Sequence, residues 1–121
     1  MSEAPAPYGS MVDIPEKMAE LRALARHREP AVIASEIAKL FPDLRHAPGV
    51  SPWNPAALDA WASTDAMGAN SKPNVRFLLS LWSGGDGDTW QVGAFTLFDI
   101  KSMDGTGFKV LQAWFANPFW L

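Results

Sequence analysis

The chain of 121 residues carries 10 Lys and Arg against 13 Asp and Glu, for a net charge of −3, and it contains no cysteine. Its length suits one domain, and its 48% hydrophobic and 19% charged content is ordinary for a globular protein. The composition excludes disulfides, thiolate zinc sites and a cysteine nucleophile, and the lack of a basic tract argues against nucleic-acid binding.

Residues 1–12 are expected to form a mobile tail. They begin MSEAPAPYGS, and this alternation of Ala and Pro offers little apolar area to offset the entropy of ordering. An acid and two prolines stand where a secretory signal has basic residues followed by an apolar run. No stretch reaches the roughly 18 apolar residues of a membrane span. The sequence therefore predicts a soluble, cytoplasmic protein without a membrane partner.

Residues 13–41 are predicted to form an amphipathic helical hairpin. Asp13 and Pro15 are typical of a helix cap and a first turn. Pro30 interrupts the pattern and Pro42 ends it, because proline lacks the amide donor of a helix interior. The apolar residues at helical spacing are Ile14, Met18, Leu21 and Ala25 before Pro30, and Ile33, Ile37, Leu40 and Phe41 after it. This pattern predicts two helices, or one helix kinked near Pro30.

Four prolines make residues 42–55 an irregular strap that connects two parts of one domain. Asn54 and Pro55 then repeat the combination of cap and proline, which predicts a short helix carrying Leu58 and Trp61. Residues 56–121 form the aromatic-rich core of the predicted domain, since 12 of the 14 aromatic residues lie from Trp53 onward.

The segments 75–82 and 89–100 each fit both a helix and a strand. In the first, the polar residues Arg76, Ser80 and Ser83 recur at helical spacing among apolar neighbours, and we favour a mostly buried helix that starts near Pro73. The same segment also alternates like a strand. Residues 89–100 allow a strand or the start of a short helix, and the sequence leaves them open.

The last helix is expected to start at Asp104 and to end near Ala116. It is predicted to bury Phe108, Leu111 and Phe115, with Val110 and Trp114 widening the apolar face. The predicted fold class is therefore mainly α: a single domain over residues 13–121, built as a bundle of about five helices. The alternative is an α+β fold with a short hairpin between residues 75 and 100.

Candidate catalytic groups are few. Of the two histidines, His27 lies between two arginines and suits a helix end, whereas His46 lies in the strap. A hydrolase would need His46 to meet an acid such as Asp59, Asp65 or Asp99 in one cleft, and no sequence signature pairs them. The sequence therefore predicts no catalytic residue and no cofactor, and a hydrolase is kept as a third hypothesis.

Two glycine-rich segments resemble ligand loops only superficially. A calcium loop starting at Asp86 would place Trp90 and Leu97 at positions that need oxygen ligands, so Asp86 and Asp88 are read as solvated acids of a turn. The segment after Asp104 lacks the spacing of a phosphate-binding loop. No metal site is predicted.

Tryptophan is the compositional outlier, with six in 121 residues. Trp61, Trp82 and Trp114 lie on apolar helical faces and are expected to pack in the core. Tryptophans beside irregular segments are the candidates for exposure, and residues 114–121 fit both core packing and a partner-binding patch. The candidate partner-binding residues are Trp53, Trp90, Trp114, Phe115, Phe119 and Trp120.

The leading hypothesis is a small non-enzymatic interaction module that binds another protein, or a second copy of itself, through its aromatic C-terminal segment. The alternative is a small-ligand or carbohydrate-binding domain with a tryptophan-lined pocket. Both follow from the aromatic content beyond residue 50 and from the lack of a catalytic motif.

Overall fold

Seven α-helices and one 3-10 turn form the regular structure of this computed structural model, which describes residues 13–84 and 89–121. No strand occurs among these residues, so the mainly α prediction is confirmed and the α+β alternative is wrong. The helices are α1 (Ile14–Leu24), α2 (Pro30–Ala38), α3 (Pro55–Thr64), α4 (Ala66–Ala69), α5 (Lys72–Trp82), α6 (Leu97–Ser102) and α7 (Gly105–Ala116), and the 3-10 turn is Pro42–Leu44.

The predicted hairpin consists of two separate helices. The Asp13 carboxylate accepts a hydrogen bond from the Glu16 amide at 3.1 Å and caps α1, with Pro15 in the first turn. Pro30 begins α2 instead of kinking a longer helix, because a proline in the first turn gives up no helical hydrogen bond. The kinked alternative is therefore wrong.

The helices after the strap begin at side-chain caps that the sequence carries. The Asn54 side chain accepts from the Ala57 amide at 3.1 Å and starts α3, as predicted. Asp65 accepts from the Met67 amide at 2.8 Å, and it separates α3 from α4. Gly68 then lies so close to α3 that a Cβ there would meet the Trp61 carbonyl oxygen, which explains the absence of a side chain.

α5 is the central helix, since it packs against α2, α3 and α6. Its buried side chains include Val75, Phe77, Leu78, Leu79 and Leu81, and only a narrow polar face remains. The helical interpretation of residues 75–82 is confirmed. The strand alternative is wrong. Neighbouring helices cover α5 on several sides, so a helix can bury apolar residues around most of its circumference.

Residues 89–96 are irregular, and α6 begins after Thr96. The Thr96 amide donates to Asp99 Oδ2 at 2.9 Å, which fixes the first turn of α6. Of the two alternatives for residues 89–100, the short helix is the one present, and a coil precedes it.

α7 begins after Asp104, whose carboxylate accepts from the Gly107 amide at 2.6 Å. Leu111 is buried as expected, but Phe108 is 39% and Phe115 55% exposed, so their predicted burial is wrong. The face that α7 buries carries Gly107, Val110, Leu111 and Trp114. Apolar side chains occupy most positions of α7, and its packing against α1 selects which of them are covered.

The core joins all the long helices into one hydrophobic cluster, and its largest fully buried side chain is Phe41, with Met18 and Leu21 from α1 and Leu58 from α3. Residues 1–12, predicted as a mobile tail, and the acids Asp86 and Asp88 lie outside the described residues. In the part of the chain that is described, every helix is too short or too polar to cross a membrane.

Candidate functional site

The polar face of α5 fixes the irregular segment that follows it. Arg76 Nε donates to the Val92 carbonyl at 2.6 Å, and its Nη1 donates to Asp99 Oδ1 at 2.7 Å. Ser80 Oγ accepts from the Phe95 amide at 3.4 Å. Ser83 Oγ accepts from the Trp90 indole at 3.4 Å. The polar residues that recur at helical spacing therefore all face the segment 89–99, and they are Arg76, Ser80 and Ser83.

Asp59 holds the same segment from the side of α3. Its two carboxylate oxygens accept from the amides of Gln91 and Val92, both at 3.0 Å, and the side chain is buried. Val92 is therefore bonded through its amide to α3 and through its carbonyl to α5. This double attachment positions Phe95, three residues later, beside the aromatic rings of α5 and α7.

The aromatic rings around Trp114 form one connected cluster. The Phe77 and Trp114 rings lie 5.6 Å apart at 79°, and those of Phe77 and Phe95 lie 5.8 Å apart at 68°. On the other side, Trp114 contacts Phe115 at 5.3 Å and Trp120 at 5.2 Å. These edge-to-face pairs are each worth about 0.5–1.5 kcal/mol beyond the area that they bury.

The end of the chain folds back over this cluster. Trp114 Nε1 donates to the Phe119 carbonyl at 2.8 Å, and the Leu121 amide donates to the Leu81 carbonyl at 3.5 Å. Phe119 and Leu121 are half-buried against the core, whereas Trp120 between them is 54% exposed.

A cavity of about 210 Å³ opens within the cluster, and we call it the C-terminal pocket. Its described lining residues include no ionisable side chain, and Ser80 supplies the one hydroxyl among them. We call the rings of Trp114, Phe115 and Trp120, which line its outer part, the aromatic surface. The pocket is lined by Phe77, Ser80, Leu81, Phe95, Leu111, Trp114, Phe115 and Trp120.

Of the six candidate partner-binding residues, four lie together at this end of the molecule. Trp114, Phe115 and Trp120 line the pocket, and Phe119 fixes Trp114 through its carbonyl. Trp53 and Trp90 do not line it. Trp53 is half-buried, with its ring 5.5 Å from that of Trp82, and Trp90 is half-buried against Ser83.

The prediction that Trp61, Trp82 and Trp114 pack in the core is only partly correct. Trp114 is buried, but Trp61 and Trp82 are half-buried. Phe77, Phe95 and Leu111 also line the pocket, and none of them is among the six residues predicted to bind a partner. The spacing of Phe77 with Leu81, and of Leu111 with Trp114 and Phe115, would have placed each set on one helix face. Phe95 lies in an irregular segment, where no periodicity signals its position.

The acids that were considered for catalysis have structural partners. Asp59, Asp65 and Asp99 each accept backbone amide hydrogen bonds, and Asp99 is also paired with Arg76. His46 is exposed on the irregular segment after the 3-10 turn. Over residues 13–84 and 89–121, no group of three or more acids and histidines is arranged to hold a metal ion.

No protein-family model, curated protein or solved structure matches the chain.

Proposed function

We propose that this protein is an interaction module that binds a partner protein through the aromatic surface. The observation that carries the proposal is the arrangement of Phe115 and Trp120, which both contact Trp114 and both expose more than half of their side-chain surface beside an apolar pocket. Aromatic side chains around a pocket are typical of the residues that dominate binding energy at protein interfaces.

The hydrogen bonds around the pocket support the same proposal. Arg76 and Asp59 fix the segment that carries Phe95, and the Trp114 indole fixes the fold-back of the chain end, so Phe95 and Trp114 are held in the pocket wall before a partner arrives. A preformed surface costs less conformational entropy on binding than one that must be ordered. The geometry thus suits recognition by a rigid aromatic patch.

The test is capture of partners from an extract of the native host by the full chain and by a Phe115→Ser/Trp120→Ser variant. We expect the unaltered chain to retain a defined partner and the variant to lose it while it keeps its helical fold, at a cost in stability of about 1–3 kcal/mol for the two lost contacts with Trp114. Val32→Ser/Met67→Ser is the matched control, since these residues are also exposed and do not line the pocket. Equal capture by the aromatic variant and the control would contradict the proposal.

A second candidate function is the binding of a small apolar ligand, and the volume of the pocket favours it. An apolar cavity of about 150 Å³ is large enough for benzene. A carbohydrate suits the site less well, because Ser80 is the one hydroxyl on the described lining and a sugar needs several polar partners. Tryptophan fluorescence titrated with apolar ligands and sugars tests this candidate, and a flat response to both would exclude it.

A further inference from the structure

We propose that the C-terminal pocket receives one uncharged aromatic side chain of the partner protein, an inference that rests on the proposed function. The first argument is size. The cavity of about 210 Å³ exceeds the roughly 150 Å³ that accommodates benzene, so it holds a single substituted ring.

The second argument is charge. The described lining carries no ionisable side chain, and it consists of aromatic and aliphatic carbon apart from the Ser80 hydroxyl and the indole nitrogens of Trp114 and Trp120. A carboxylate inserted here would lose its hydration without gaining an opposite charge, and a lysine or arginine would recover only part of its hydration energy through cation–π contacts with the rings. A neutral occupant is therefore the electrostatic complement of the pocket.

The third argument is the orientation of the walls. The Phe77 and Trp114 rings meet at 79°, and those of Trp114 and Phe115 at 63°. The walls of the pocket are therefore not parallel, and an inserted ring meets them at different angles. An inserted aromatic ring gains edge-to-face contacts here that an aliphatic side chain does not make.

The fourth argument distinguishes a side chain from a free small molecule. Phe115 and Trp120 line the pocket and are more than half exposed, so the pocket reaches the surface beside them. A residue attached to a polypeptide can insert its ring while the neighbouring backbone stays outside and covers these two rings. A free ligand would cover only the parts of these rings that line the pocket.

The experiment follows the indole N–H resonances of Trp114 and Trp120 in the ¹⁵N-labelled full chain. The probes are the blocked amides N-acetyl-L-phenylalanine amide, N-acetyl-L-leucine amide and N-acetyl-L-lysine amide, with toluene as the free ring. We expect the phenylalanine amide to shift both resonances and to bind at least about threefold more tightly than the leucine amide, with no shift from the lysine amide. Binding of the lysine amide as tightly as the phenylalanine amide would overturn the proposal, as would binding of toluene without binding of the phenylalanine amide.

The matched variants are Ser80→Leu, which fills the pocket from α5, and Gln112→Leu, which adds the same side chain on an exposed position of α7. We expect Ser80→Leu to weaken the phenylalanine amide at least about tenfold and Gln112→Leu to leave it unchanged. The titration of the unaltered chain decides the matter by itself if Ser80→Leu does not fold.

The two proposals fail in different ways. If Phe115→Ser/Trp120→Ser loses partner capture while folded Ser80→Leu retains it fully, the aromatic surface binds the partner and the insertion of a ring is wrong. If the partner proves to be a second copy of the chain and the phenylalanine amide shifts neither indole of the monomer, the pocket proposal is also overturned. Loss of capture in both variants, together with binding of the phenylalanine amide, supports both.

Discussion

Arg76 and Asp99 form an ion pair, with 2.7 Å between Nη1 and Oδ1, that joins the middle of α5 to the first turn of α6. The Asp99 side chain is almost completely buried, and its second oxygen accepts from the Thr96 amide. Because the same arginine also binds the Val92 carbonyl, one side chain organises both ends of the segment that carries Phe95. The placement of Phe95 in the pocket wall therefore depends on this polar contact.

Asp99→Ala is expected to lower the free energy of unfolding by about 3 kcal/mol, because it leaves the guanidinium and the Thr96 amide without their shared acceptor. Urea unfolding of Asp99→Ala, Arg76→Met and the double variant measures the coupling, which we expect to be about 1–3 kcal/mol. Glu20→Gln is the control, since it breaks an exposed ion pair with Lys17 and should change stability by less than about 0.5 kcal/mol. Additive effects of the Arg76 and Asp99 substitutions would show that the pair is not coupled.

Asp59→Asn is expected to destabilise the chain by about 2 kcal/mol. An asparagine replaces one of two acceptor oxygens with an NH2 donor, which then faces the amide of Gln91 or Val92 at the position of a 3.0 Å hydrogen bond. Faster hydrogen exchange at Val92 and altered near-ultraviolet dichroism from Trp90 would accompany the loss.

Asp65→Asn is the matched control for Asp59→Asn. Asp65 accepts one amide hydrogen bond as a helix cap, a role that asparagine fills equally well, so stability should change little. Equal losses in the two variants would mean that the negative charge, and not the pair of acceptors at Asp59, determines stability.

The sequence predicts the helical part of this architecture well because the determinants are local. Asp13, Asn54 and Asp104 were identified as caps from their own neighbours, and the polar face of α5 was visible from the spacing of Arg76, Ser80 and Ser83. A helix cap needs only an acceptor side chain before a favourable first turn. Such features can be found without knowledge of the tertiary structure.

The remaining features depend on contacts that are distant in the sequence. The hydrogen-bond partners of Asp59 lie more than 30 residues away in a segment without periodicity. The sequence therefore makes Asp59 a candidate catalytic acid, whereas in the structure it holds a loop. Phe108 and Phe115 were assigned to the core because α7 is apolar on most of its surface, and only its packing against α1 decides the buried face. All three residues of the aromatic surface are among the candidates named from the sequence, whereas the pocket beside them needs the placement of Phe95.

Gly107→Ala is expected to lower the free energy of unfolding by about 1–3 kcal/mol. A Cβ at this position would lie 2.9 Å from Asn74 Oδ1 and 3.1 Å from Asp104 Oδ1. Asn74 is buried and donates to both carboxylate oxygens of Asp43 at 3.1 Å, so it cannot move aside without losing those hydrogen bonds.

Gly105→Ala is the matched control, two residues earlier in the same helix. Open space surrounds its Cβ position, and alanine favours the helix and restricts the unfolded chain, so we expect a gain of up to about 1 kcal/mol. Urea unfolding of the two variants should give opposite signs. A loss of similar size in both would indicate that the first turn of α7, and not the contact with Asn74, limits stability.

Deletion of residues 119–121 separates the core role of the chain end from its binding role. Phe119 and Leu121 are only half-buried at the edge of the core, and Trp120 is more than half exposed. We therefore expect the deletion to keep the helical far-ultraviolet dichroism, to lower the melting temperature by about 5–10 °C through the loss of roughly 2 kcal/mol, and to abolish partner capture. Trp120→Ser should lose capture with a smaller shift of about 2–6 °C, since it removes a half-exposed ring together with its edge-to-face contact with Trp114. Loss of the helical dichroism on deletion would show that residues 119–121 belong to the core. It would remove the main support for a docking surface, because the contact between the Trp114 and Trp120 rings would then be needed for folding.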